Sequence, residues 1–394
     1  MSIADRRRAQ HVVPVFLSYG FRPFFLMAAL WSSGALLVWI VILVLGQGLP
    51  SRFDPLSWHI HEMLFGFVMA TIAGFLLTAI ANWTSREPVS GVPLALLATL
   101  WILGRACCLV SGLLPAWLAA AGDLAFPALL TGVVAREIIA GRNWRNLPMV
   151  GAVTVLGSAN LLMHLEAAGV DLPPGLGWRL GLAAIIVLIS VVGGRIVPSF
   201  TRNWLAKRKT ENSLGRPGII DRSALGTLHA GLFAWAFAPD FASLGFLLLV
   251  GAAFNLRRLL RWRGGVTWAE PMLFVLHVGY AWMVFGTALL GFSMLDPDVP
   301  QSAAIHALTA GAIGTMTLAV MTRATRGHTG RALTADTVTS AIYLLVNLAA
   351  GMRVAAAFAS DWSMSFLLGS ACLWIAAFGG FVLGYAAMLL RPGV

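Results

Sequence analysis

Charge is scarce in this sequence. Only 11% of its 394 residues are charged, the acidic residues number 16, and lysine occurs only at Lys207 and Lys209. Soluble domains carry about a quarter of their residues as charges, so this composition excludes a chain that faces water on all sides. Cysteine is scarce as well. Cys107 and Cys108 adjoin in one apolar run and Cys372 lies in another; without a C-x-x-C pair, neither a disulfide framework nor a zinc site is indicated. No P-loop is present either.

What fills the chain is apolar surface: 59% of residues are hydrophobic and the mean hydropathy is +0.83. Twelve apolar runs of about 16 to 28 residues, lengths suited to crossing a bilayer, begin with about 24–46 and end with about 363–390. The fold class expected is therefore an all-α integral membrane protein, a polytopic bundle of about 12 transmembrane helices. Residues 1–20 form a cytoplasmic tail. It carries Arg6, Arg7 and Arg8 and lacks a small-residue cleavage site, so it is not a removed signal peptide. Residues 21–197 hold helices one to six, 198–222 a basic cytoplasmic loop, and 223–394 helices seven to twelve. No internal repeat is evident.

The net charge of +11 would suit a nucleic acid only if it were clustered on one surface, and it lies instead in short loops between apolar runs. With the N-terminus inside, most of the 27 basic residues fall in inner loops, as the positive-inside rule requires. The expected partner is the lipid bilayer, with no nucleic acid, and both termini are expected in the cytoplasm.

Ionisable side chains within a bilayer are costly and mark function. Counted along the helices, His59 and His61 sit at the outer end of helix two, His164 near the outer end of helix five and His306 just inside the outer end of helix ten. His229 and His277 fall near the midplane. Five imidazoles on four helices (His59, His61, His229, His277 and His306) exceed what packing needs, and neutral imidazole suits copper, iron and haem. At i and i+2, His59 and His61 point about 200° apart on a regular helix. Both face one metal only if the helix has not yet begun; otherwise His61 is the ligand. Arg22, Arg105 and Arg353 need acceptors where water is absent, and Glu62 or a haem propionate supplies one.

Several motifs together resemble the NnrS family: Phe21-Arg22-Pro23-Phe24-Phe25; Trp58-His59-x-His61-Glu62-Met63-Leu64-Phe65-Gly66-Phe67; Ala73-Gly74-Phe75-Leu76-Leu77-Thr78-Ala79; Gly193-Gly194-Arg195; Leu276-His277-x-Gly279-Tyr280; His306-Ala307-Leu308-Thr309; and Gly327-His328-Thr329-Gly330-Arg331. The resemblance covers nearly the whole chain. It implies a multi-pass protein of the bacterial inner membrane, containing haem and copper and associated with denitrification and resistance to nitric oxide.

Depth and chemistry then assign the roles. His229 and His277 are expected to hold a b-type haem, with Arg22, Arg105 and Arg353 anchoring its propionates. His59, His61 and His306 are expected to form an outer metal site or to ligate a second haem, and Glu62 is the catalytic carboxylate that orients a metal-bound imidazole or relays protons. The ligand is nitric oxide or a related small molecule, and an oxidoreductase resembling nitric oxide reductases is favoured. With no haem-attachment or copper-thiolate domain in the chain, electrons would come from quinol or a partner protein. Two other classes use the same residue types: a transporter of a metal, haem or small anion, and a scavenger or sensor of nitric oxide without turnover.

Overall fold

The computed structural model describes residues 13–209, 214 and 217–394. Arg6, Arg7, Arg8 and His11, with most of the tail expected over 1–20, lie outside the described residues, as do 210–213, 215 and 216 of the expected basic loop. Among the described residues there are twelve principal helices and no strand. These are α1 (Phe21–Leu45), α2 (Pro55–Thr84), α3 (Val92–Leu109), α4 (Ala116–Ala140), α5 (Trp144–Ala167), α6 (Leu176–Lys207), α7 (Ile219–Phe237), α8 (Leu244–Arg261), α9 (Pro271–Leu295), α10 (Gln301–His328), α11 (Thr337–Ala355) and α12 (Ser363–Leu390). Ten are long and apolar enough to cross a membrane. Helices α7 and α8 fall short because the first carries Asp221, Arg222 and His229 and the second Arg257, Arg258 and Arg261. The chain is a multi-pass membrane protein.

Helix α6 runs ten residues beyond the expected end at 197. Thr201, Arg202, Asn203 and Lys207 read as loop, yet the helix continues through Pro198. The ring removes the hydrogen bond to the Gly194 carbonyl and crowds that carbonyl, a cost that the helix bears without ending.

Two helices are not α-helical throughout. In α2, Asp54 caps the first turn by accepting from the amides of Leu56 and Ser57, and Pro55 occupies the first position, where its missing N–H is no loss. The α segment ends at His61, and Glu62–Val68 form a π segment before Met69–Thr84 resume the α-helix. In α10 the α segment ends at His306, Ala307–Ile313 are π, and Gly314–His328 resume. A π turn inserts a residue and re-aims the side chains that follow, which is why such segments recur at functional sites.

The chain divides into two compact units. One runs to Trp178 and includes Val320–Ala332 and Phe381–Val394; the other holds Arg179–Ala319 and Leu333–Gly380. The second unit is tied through Arg258, buried near the end of α8. Its Nε donates to Asp221 on α7 at 3.1 Å, and its Nη1 to the Ser190 carbonyl on α6 at 3.1 Å and the Tyr280 hydroxyl on α9 at 2.8 Å. Tyr280 passes its proton to Asn255, 2.7 Å away. Four helices are thus held by one guanidinium whose charge Asp221 answers, and Gly194 leaves room for it: a Cβ there would overlap the Arg258 guanidinium. Gly194→Ala is expected to cost about 1–3 kcal/mol, the range for overpacking. Thermal unfolding in detergent checks this beside Gly226→Ala, whose added methyl meets no atom and should leave the midpoint unchanged or raise it.

Candidate metal centre

Four helices of the first unit bring polar side chains to one buried point. The π transition in α2 sets His61 and Glu62 side by side. Arg105 and Cys108, one turn apart, share a face of α3. Asp123 comes from α4, and Asn160 and His164 from one face of α5. His61 and Glu62 are wholly inaccessible, and Arg105, Cys108, Asp123, Asn160 and His164 are buried. Phe53 closes the cluster, stacked on the His61 ring at 4.8 Å and tilted against His164 at 5.1 Å.

Arg105 is held between the two carboxylates. Its Nη1 donates to Glu62 Oε2 at 2.6 Å, and its Nη2 to Asp123 Oδ1. Gly104 makes that approach possible, since a Cβ there would lie 2.7 Å from Asp123 Oδ1. The indole of Trp31 on α1 donates to the same Glu62 oxygen at 2.7 Å. Asp123 Oδ2 accepts from Asn160 Nδ2 at 2.7 Å and from His164 Nε2 at 3.0 Å. Because the Asn160 amide points its NH₂ at a carboxylate, its oxygen faces His61 Nε2, 2.7 Å away. His61 Nδ1 meets Glu62 Oε1 at 3.1 Å. Both His61 nitrogens therefore face oxygen. The two carboxylates share the one guanidinium of Arg105, so no charge of the cluster lacks an opposite charge beside it.

The same residues offer donors to a metal. One ligand atom each from His61, Cys108, Asp123 and His164 lie within 4.8 Å of one another. Two imidazoles, a thiol and a carboxylate form a borderline-soft set that suits copper or zinc. Binding at His61 and Cys108 requires each to give up its hydrogen. The model of the NnrS protein family matches residues 15–392. The chain belongs to the NnrS family. No curated protein matches it.

The expected site residues of this NnrS chain do not all meet. Of the nine, the cluster brings together His61, Glu62 and Arg105. His59, on the other face of α2, stacks on Trp39 at 4.9 Å with an 18° interplanar angle. Arg22 donates through Nη1 to the carbonyls of Met388, Leu389 and Arg391 at the end of α12. His61, Glu62, Arg105, His59 and Arg22 lie in the first unit, whereas His229, His277, His306 and Arg353 belong to the second. The Thr201 hydroxyl is committed to the Val197 carbonyl, so His277 Nε2 donates to it at 3.0 Å. His277 Nδ1 lies against Gly264, where a Cβ would come within 2.6 Å. His277 Nδ1 is buried without a hydrogen-bond partner. His229 donates through Nε2 to Ser190 at 2.8 Å, His306 donates through Nδ1 to the Ser302 carbonyl at 2.7 Å, and Arg353 is half-buried in α11 beside Val354.

Sequence reasoning missed Asp123, Asn160, His164 and Cys108 as members of one site. The signal was present for three of them. Asp123 is a lone acid in the middle of an apolar run, and Asn160 and His164 share a helical face at i and i+4. Removing one charge of the buried cluster exposes its balance. Arg105→Met is expected to cost about 3–5 kcal/mol, as uncompensated buried charges do, read as loss of folded yield and thermal midpoint. Adding Glu62→Gln should recover part of that loss, a non-additivity that independent sites would not show.

Proposed function

We propose that the protein is a multi-pass protein of the bacterial inner membrane, with both termini cytoplasmic, that binds nitric oxide at a copper centre formed by His61, Cys108, Asp123 and His164, and so protects the cell from nitrosative stress. Membership of the NnrS family supports the nitric oxide response. The observation that carries the site is the convergence of two imidazoles, a thiol and a carboxylate from four helices at a dry point within the apolar bundle. Copper, when bound, supplies one-electron chemistry and a position for a small diatomic ligand. Around it the protein's own groups would do the rest: Glu62 at Nδ1 or Asn160 at Nε2, whichever nitrogen the metal leaves, orients the His61 ring, Arg105 holds both carboxylates in place, and Phe53 covers the cluster. Haem rests on the resemblance alone.

The two π segments favour a second reading. Helices interrupted within the membrane mark the substrate path of many secondary transporters, and α2 and α10 are each interrupted by a π segment. Metal analysis of detergent-purified protein from copper-supplied cells separates the two. Equimolar copper that survives dialysis, gives an optical change with nitric oxide, and is lost in His61→Ala and in His164→Ala supports the resident centre. Copper retained by the His61→Ala/His164→Ala double variant would show that the metal sits elsewhere. Copper-free protein that nonetheless accumulates the metal in proteoliposomes would make transport the working function.

A further inference from the structure

Arg22 opens α1 and is 5% exposed. Its Nη1 is committed to the three carbonyls at the end of α12, and the Phe21 ring lies 5.3 Å from its Cζ. Its Nε is buried without a hydrogen-bond partner. Arg331, just beyond α10, has a buried Nη1 that likewise lacks one, and its segment reaches the start of α1, where the His328 ring stacks on Phe21 at 5.5 Å. Two guanidinia of like sign therefore lie in one region, each with an N–H unanswered. Among the described residues no carboxylate pairs with either. The segments that meet here, 13–25, 320–332 and 381–394, contain no Asp or Glu at all.

Buried unsatisfied donors are rare and call for a partner. Water would satisfy an N–H but would leave two cations repelling each other at the edge of a low-dielectric medium. An anion does both. The position narrows its chemistry: the start of α1 and the ends of α10 and α12 coincide, and helix termini lie at the level of the bilayer surface, where phosphate groups reside. A phosphate offers oxygens in several directions and is matched by the planar forks of two arginines.

We infer that Arg22 and Arg331 form a phosphate-binding site at the membrane surface, closed on one side by the end of α12. The phosphate belongs either to an anionic lipid headgroup or to a soluble compound. Its occupancy joins α1, the segment after α10 and the C-terminal end of α12 in one contact, and so steadies the first unit at the face remote from His61.

The test uses the full chain. Arg22 also caps α12, and its replacement could unfold the protein, so the decisive variant is Arg331→Gln, with Arg331→Lys beside it to retain the charge. In detergent, inorganic phosphate is titrated and binding read by thermal shift. In nanodiscs of phosphatidylglycerol or of phosphatidylcholine, native mass spectrometry counts the lipid retained. Phosphate binding to the wild type that weakens about tenfold or more in Arg331→Gln, the loss of one charge-assisted hydrogen bond, identifies a soluble ligand. Retention of phosphatidylglycerol over phosphatidylcholine that the variant loses identifies a lipid. In either case Arg331→Lys should fall between. Wild-type protein that binds neither probe, or a glutamine variant that binds as the wild type does, overturns the assignment. Neither result bears on the copper centre, whose metal content is measured separately.

Discussion

The guanidinium of Arg105 between Glu62 and Asp123 is the interaction on which the first unit depends. Two carboxylates cannot be kept ionised in a dry site unless a cation answers them, and a lone cation there would be as costly. Once Arg105 bridges α2 and α4 from α3, the remaining choices are narrow. Asn160 can turn only its NH₂ toward Asp123, His61 is left facing oxygen on both sides, and Trp31 takes the last acceptor on Glu62. Each group is fixed by the others, so the network specifies one arrangement of five helices where aliphatic packing would allow several.

The backbone contributes as much as the charges. His61 ends an α segment and Glu62 begins a π segment, which places adjacent residues on one cluster where a regular helix would turn them apart. Gly104 and Gly66 then remove the side chains that would hold α3 and α1 away: a Cβ at Gly66 would lie 2.7 Å from the Trp31 indole nitrogen. Close approach at small residues is how helices associate in a medium that offers no hydrophobic drive between them. The functional chemistry and the helix packing are therefore the same set of contacts.

Much of this was legible in the sequence, and the reason differs by level. Apolar run length follows from bilayer thickness, so twelve helices could be read before any coordinates, with the end of α6 hidden because Pro198 and the polar residues after it resemble a loop. The importance of His61, Glu62 and Arg105 followed from the cost of burying them. Which residues share a site did not follow, because depth along a helix says nothing about which neighbour it faces. His229 and His277 share a depth, yet each is held by a hydroxyl of its own, whereas Asp123 and His164 gave the same signal of a polar group in an apolar run and lie at the centre. Periodicity could not reveal the π segments either, since they are the places where the period changes.

The two π segments carry a further implication. In α2 and in α10 a proline opens the helix, a histidine ends the first α segment, a seven-residue π segment follows, and its fifth residue, Gly66 or Gly311, receives a tryptophan from the preceding helix, Trp31 or Trp282. Each tryptophan donates its indole N–H, the first to Glu62 and the second to Asn347. The same backbone device thus holds two different polar settings. In α2 the indole meets an ionised cluster; in α10, with Ala307 where Glu62 stands, it meets a neutral amide, so the turn itself joins helices with or without charge.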